Sequence, residues 1–151
     1  MSYVKIWVHA VWGTKKHYPY LTEPIRVKVF KHIRENAQKH SIHINFINGI
    51  EDHVHCLLLL NADLSISKTV NLIKGESSHW INQEKITAER FEWADEYFAG
   101  SVSDSRVKFV RDYIRNQQIH HQKTSFEDEY QKFIDEFMKE TVLSFETGQA
   151  G

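Results

Sequence analysis

The chain has 151 residues, 41% of them hydrophobic and 13% aromatic, with two prolines and one cysteine, which is the size and composition of one soluble globular domain. No apolar run approaches the roughly 20 residues of a membrane helix, residues 1–13 lack the layout of a signal peptide, and a lone Cys56 cannot form an internal disulfide, so the expected location is a reducing cytoplasm. The net charge of −1 divides into +4 over residues 1–123 and −5 over residues 124–151, so a mildly basic body, compatible with contacts to a short stretch of phosphates, precedes an acidic tail.

Residues 3–14 read as a strand, with Val4, Ile6, Val8, Ala10 and Trp12 on one face. Thr22-Glu23-Pro24 opens a helix whose stripe of Ile25, Val29, Ile33 and Ala37 runs to about residue 40. Alternation over residues 42–50 puts Ile42, Ile44, Phe46 and Ile50 on one side of a second strand. Glu51-Asp52 is a tight break before a third strand at 53–60, so the two should pair as an antiparallel hairpin.

Ile66, Val70, Ile73, Ser77 and Trp80 follow helical spacing, with Gly75 costing about 1 kcal/mol relative to alanine. Residues 84–92 form a polar connection and 93–102 look extended. Gly100-Ser101 and Ser103-Asp104 supply a flexible joint and an N-cap for a helix traced by Val107, Val110, Ile114 and Gln118 to about residue 122. A last helix is expected over 125–139 from the spacing of Phe126, Tyr130, Phe133 and Phe137, and 140–151 should fray. The order βαββαβαα predicts an α+β, ferredoxin-like sandwich: one domain over residues 1–139, a mainly antiparallel sheet, and helices covering one face.

The sharpest local signal is Asp52-His53-Val54-His55-Cys56-Leu57-Leu58. Residues two apart on a strand point the same way, so both imidazoles can converge on one ion while Val54, Cys56 and Leu58 turn to the core. Alone, the pair reads first as two histidines on a solvent-facing strand. Its company is Tyr113-Ile114-Arg115-Asn116-Gln117, where helical spacing brings Tyr113 and Gln117 to one face. The Gln117 amide oxygen is a hard ligand that could complete a site begun by the histidines. Alone, Tyr113 reads first as a packing aromatic beside Phe109.

Together these elements resemble the single-tyrosine HUH transposases of the insertion-sequence 200/605 family, over about residues 4–122. The landmarks are Val11-Trp12-Gly13-Thr14-Lys15, the histidine motif, Lys74-Gly75-Glu76-Ser77-Ser78, Trp93 with Glu96-Tyr97-Phe98, and the segment from Tyr113 to Gln117. Glu51 stands where the family often has proline, and Cys56 where leucine is common. The resemblance implies that His53, His55 and Gln117 hold a divalent ion, Mg2+ or Mn2+, and that Tyr113 attacks the scissile phosphate of single-stranded DNA. A 5′-phosphotyrosine intermediate, recognition of DNA hairpins and a homodimer in which each tyrosine helix can serve the partner's histidines follow from the same likeness.

For DNA contacts the candidates are Lys15, Lys16, Lys68, Lys74, Arg111 and Arg115, with Trp7, Trp80 and Tyr97 able to stack on unpaired bases, although aromatics at these spacings are more often core. His9, His43, His79 and His120-His121 have no assigned role. The alternatives are a domesticated hairpin-binding relative, a replication initiator or relaxase with the same metal site, and a protein whose histidines hold a structural metal.

Overall fold

Four strands, β1 (Trp7–Gly13), β2 (His43–Ile50), β3 (His53–Leu59) and β4 (Phe98–Val102), pair antiparallel throughout in the order β2-β3-β1-β4. The computed structural model describes residues 2–120, with backbone only at 119 and 120, together with Ser125, Asp128, Glu129, Gln131, Lys132 and Asp135. The last five of these are helical. Phe126, Tyr130, Phe133 and Phe137, which predict the last helix, lie outside the described residues, as does the segment 140–151.

β1 and β3 are the central strands and are buried on both faces. Val8, Ala10 and Trp12 of β1 and Val54, Cys56 and Leu58 of β3 pack against Val29 and Ile33 of α1 (Glu23–Lys39) and Val70 and Ile73 of α2 (Ile66–Gln83). Full burial of each large aliphatic side chain contributes about 1.5–3 kcal/mol, so this face carries most of the stability. Cys56 lies inside it, and burial pushes its thiol well above the usual range, which leaves it unreactive. α1 begins with proline in its first turn, and α2 is capped by Ser65 Oγ, which accepts from the Lys68 amide at 3.1 Å. Among the described residues no helix is long and apolar enough to cross a membrane.

α1 and α2 cover one face of the sheet, as expected. α3 (Val107–Arg115) lies on the opposite face, where Val107 and Ile114 pack against Trp7 and Leu57.

Several local expectations are corrected. β1 starts at Trp7, because Tyr3, Val4 and Ile6 are exposed. β4 is confined to Phe98–Val102, and the backbone of Trp93 joins the sheet through an isolated bridge to Thr14. Ser103 makes no side-chain cap bond, and the helix expected to reach residue 122 breaks at Asn116 (φ −96°, ψ 23°) before a short α4 (Gln117–His120). β2 does not keep one alternation. A bulge between Ile44 and Phe46 shifts the register, so Ile44 and Ile47 face the α1/α2 core while Phe46 faces α3.

Candidate active site

The alternation that sends Val54 and Cys56 into the core sends His53 and His55 to the α3 side of β3. They are not solvent-facing: both are completely buried, beneath α3, α4 and the Glu129 segment. Their ring centroids are 5.0 Å apart. His9 of β1 and Tyr113 of α3 join them, the Tyr113 ring lying 5.9 Å from His55 and 6.3 Å from His9.

Two asparagines place α3 over the histidines. Asn48, turned to this face by the bulge, donates to the carbonyls of Ile114 and Arg115 at 2.9 and 3.1 Å. Asn45 Oδ1, at the bulge itself, accepts two bonds from the Arg111 guanidinium at 2.8 and 3.0 Å. The C-terminal carbonyls of a helix have no partner within it, so Asn48 both caps α3 and fixes its height above the sheet. At the other end Trp7 Nε1 donates to Asp104 Oδ1 at 3.0 Å, just before α3.

The break at Asn116 leaves the pairing of Tyr113 with Gln117 intact, since Gln117 Nε2 still approaches the Tyr113 carbonyl at 3.4 Å. Gln117 is fully buried and its Oε1 lies 3.1 Å from His53 Nε2. The other ring nitrogen of His53 is 3.0 Å from Asp52 Oδ1. A carboxylate on Nδ1 favours the tautomer whose Nε2 is a bare lone pair, the form a metal ligand requires. Asp52 is held in turn by Thr14, whose amide and hydroxyl both donate to the Asp52 carbonyl.

His55 Nε2 is 2.8 Å from Glu129 Oε1, and His53, His55 and Glu129 offer ligand atoms all within 4.8 Å of one another. With Gln117 Oε1, two imidazole nitrogens and two oxygens converge in one buried space, a donor set that fits a divalent ion of the magnesium, manganese or zinc kind. Glu129 has no counterpart in the sequence expectations. It is one of three consecutive acids, Glu127-Asp128-Glu129, on a segment whose helical spacing says nothing of which carboxylate turns inward.

Burial lowers the His55 pKa to about 3 and that of His9 to about 4, so both rings are neutral near pH 7. The Tyr113 phenol is pushed upward, first by burial and then by the charge and hydrogen bond of Glu129, with a Gln117 hydrogen bond acting the other way. Without added positive charge this tyrosine keeps its proton.

The cations are spread over the molecule. Lys15 and Lys16 lie in an exposed turn immediately after β1, beside Asp52 and His53. Lys15 pairs with Glu92 at 2.7 Å, and Lys16 and His17 take left-handed φ of 56° and 58°. Arg115, exposed at the end of α3, pairs with Asp112 at 3.2 Å and lies over the Phe46 ring. Lys68 is exposed on α2, across the sheet from the histidines. Lys74 is nearly buried, its Nζ donating to the Ala94 carbonyl at 2.6 Å, and Arg111 is held by Asn45. Of the aromatics considered for base stacking, Trp7 is a core residue, Trp80 stacks on His32 at 3.8 Å, and Tyr97 packs against the α1/α2 core.

Residues 2–117 match the family described as transposase, IS200 like. The chain belongs to that family. Two solved structures share the transposase's fold. One, described as a transposase from Deinococcus radiodurans R1, is 23% identical, with a TM-score of 0.61 over 78% of this chain and 95% of its own. The other is a REP-associated tyrosine transposase bound to a REP hairpin, 16% identical, with a TM-score of 0.60 over 80% of this chain and 72% of its own. No curated protein matches the chain at the sequence level.

Proposed function

We propose that this IS200-like transposase cuts and rejoins single-stranded DNA with Tyr113 as nucleophile, beside a divalent ion held by His53, His55 and Gln117. The observation that carries the reading is the convergence of the Gln117 amide, 64 positions along the chain from His53, on the His53 imidazole at 3.1 Å, with Tyr113 packed against the neighbouring histidine. Glu129 is placed to add a carboxylate to the ligands.

The chemistry follows from the burden on the tyrosine. A phenol of ordinary pKa near 10 is about 0.1% ionised at pH 7, which costs about 4 kcal/mol, and the half-buried Tyr113 is held higher still. Mg2+ or Mn2+ at this site would supply a Lewis acid that polarises the phosphate and offsets the developing charge. Gln117, which favours the ionised phenol, and the packing of Tyr113 on His55 and His9 orient the oxygen for in-line attack. The Tyr113 oxygen forms a bond to phosphorus as the bond to the 3′ oxygen breaks. That oxygen leaves as a 3′-hydroxyl after taking a proton, and the DNA stays attached through a 5′-phosphotyrosine. Attack by another 3′-hydroxyl reverses the step and releases the phenol, so joining needs no external energy source.

The exposed Lys15 and Lys16 at the His53 end, with Arg115 and the more distant Lys68, are the proposed phosphate contacts, Lys15 and Arg115 exchanging exposed carboxylate partners for phosphate, whereas Lys74 is nearly buried on the Ala94 carbonyl and Arg111 is held twice by Asn45. The hairpin bound by the REP-associated relative supports a DNA hairpin as the recognised form. Cytoplasmic location and a homodimer complete the reading. Tyr113 already lies against the histidines of its own chain, so a dimer exchanging tyrosine helices would have to lift α3 from Asn45 and Asn48.

The deciding experiment incubates the protein with hairpin oligonucleotides from its flanking DNA and Mn2+. A covalent protein–DNA adduct that disappears in Tyr113→Phe and in EDTA is the expected result. An adduct that persists in either would remove the role of the tyrosine or of the metal.

A further inference from the structure

His9 faces the histidine pair from the neighbouring strand. It is 7% exposed, and its Nε2 lies 2.8 Å from Nδ1 of His55. The 5.1 Å between ring centroids is about the N–N distance plus a ring radius on either side, so the two imidazoles meet edge to edge through a hydrogen bond despite the small angle of 26° between their planes. Of two ring nitrogens at this distance, one must carry the hydrogen and the other must be bare.

Which one carries it depends on the far side of His55. While Glu129 Oε1 sits 2.8 Å from His55 Nε2, that nitrogen is best protonated, which leaves Nδ1 bare to accept from His9 Nε2. For Nε2 to serve as a ligand it must be bare, so His55 must then carry its hydrogen on Nδ1 and donate it to a bare His9 Nε2.

We propose that His9 is a positioning residue for His55, a two-way partner that donates to His55 Nδ1 when Glu129 occupies Nε2 and accepts from it when Nε2 binds an ion. This rests on the reading of His55 as a metal ligand. The exchange balances with both rings neutral throughout. One proton leaves His55 Nε2, one crosses the hydrogen bond from His9 Nε2 to His55 Nδ1, and one enters at His9 Nδ1. Asp52, the corresponding partner of His53, can only accept when ionised. A carboxylate at position 9 would instead set a second anion near Glu129, whereas a side-chain amide, having both a donor and an acceptor, could serve either state.

The test is Mn2+ affinity of the DNA-free protein by calorimetry for wild type, His9→Phe, His9→Gln and His55→Ala, with urea unfolding to confirm that each is folded. Loss of an orienting partner typically weakens metal binding by about 10–100-fold, the effect expected for His9→Phe, with His9→Gln staying close to wild type. Long-range 1H–15N NMR of the wild-type imidazoles supplies a second reading that does not depend on any variant folding. Added Mg2+ should move the His9 hydrogen from Nε2 to Nδ1. A folded His9→Phe that binds Mn2+ as wild type does, or a His9 tautomer unmoved by bound Mg2+, overturns the proposal while the metal site stands if His55→Ala has lost affinity. Wild-type protein that binds neither ion overturns the metal reading and this proposal with it.

Discussion

Val54, Cys56 and Leu58 face α1 and α2, while His53, His55 and Leu57, one residue out of step on the same strand, face α3. The first face is almost wholly aliphatic and aromatic, and each apolar Å² removed from water there contributes about 25 cal/mol. On the second, His9, His53, His55, Gln117 and Glu129 are all at least nine-tenths buried. Burial of polar groups costs free energy unless each is placed against another polar group, and here His9 lies 2.8 Å from His55, His55 2.8 Å from Glu129 and Gln117 3.1 Å from His53. Stability is therefore concentrated on one side of the sheet and the proposed chemistry on the other, with β1 and β3 shared between them.

The contrast is broken most completely at Tyr113. Tyr113→Phe should abolish covalent attachment to DNA, scored by denaturing gel, while changing urea stability by only about 1 kcal/mol, the net value of one hydrogen bond. His53→Ala and His55→Ala should each remove metal-dependent cleavage, and Gln117→Ala should be milder because water can replace a neutral oxygen ligand. Full cleavage by the double histidine variant would dissolve the distinction between the faces.

Trp12→Ala tests the opposite side. Its indole is fully buried against Trp93, and its loss should cost about 3–5 kcal/mol by urea unfolding. Mn2+ affinity of the fraction that remains folded should be unchanged. A loss of affinity without a loss of stability would show that this face contributes directly to the site.

Gly49→Ala should affect both faces at once. A Cβ there would overlap the His53 carbonyl oxygen across the β2–β3 pair, and the backbone must move to relieve it. A cost of about 1–3 kcal/mol is expected, with Mn2+ affinity falling in parallel. Wild-type stability and affinity would mean that the hairpin yields without moving His53.

The gentlest perturbation is acid. His9 and His55 have pKa values of about 4 and 3, below the ordinary 6.5, so the unfolded chain binds more protons between those values and stability rises with pH. In EDTA, unfolding free energy should fall as pH is lowered from 6.5 towards 4, by at most about 1.4 kcal/mol per pH unit for each ring. His9→Gln should flatten the slope, and an unchanged slope would assign it to other groups.

The succession of strands along the chain, the β2–β3 hairpin and the opposed faces of β3 are legible in the sequence because strand periodicity is a local property, and a run as regular as residues 53–58 leaves little choice. The placing of β1 between β3 and β4 rests instead on pairings between distant residues. The pairing of Tyr113 with Gln117 is legible from helical spacing even though the helix breaks between them. Glu129 is not, because nothing local tells one carboxylate of an acidic run from the next. Lys74 reads as a surface cation because its two carbonyl partners, Ala94 and Glu96, are twenty or more residues away. His9 did carry a signal: it alternates with the apolar Val8 and Ala10, on the face of β1 that pairing matches to His55.

The bulge in β2 works like an inserted letter in a reading frame. Every side chain after Asn45 faces the side opposite to the one plain alternation assigns, which brings Ile47 into the apolar core and hands Asn48 to the carbonyls at the end of α3. One extra backbone unit thus couples the edge of the sheet to the seat of the tyrosine. A lineage that lost it could not recover by changing a single side chain, because at least Ile47 and Asn48 would have to exchange apolar for polar character together.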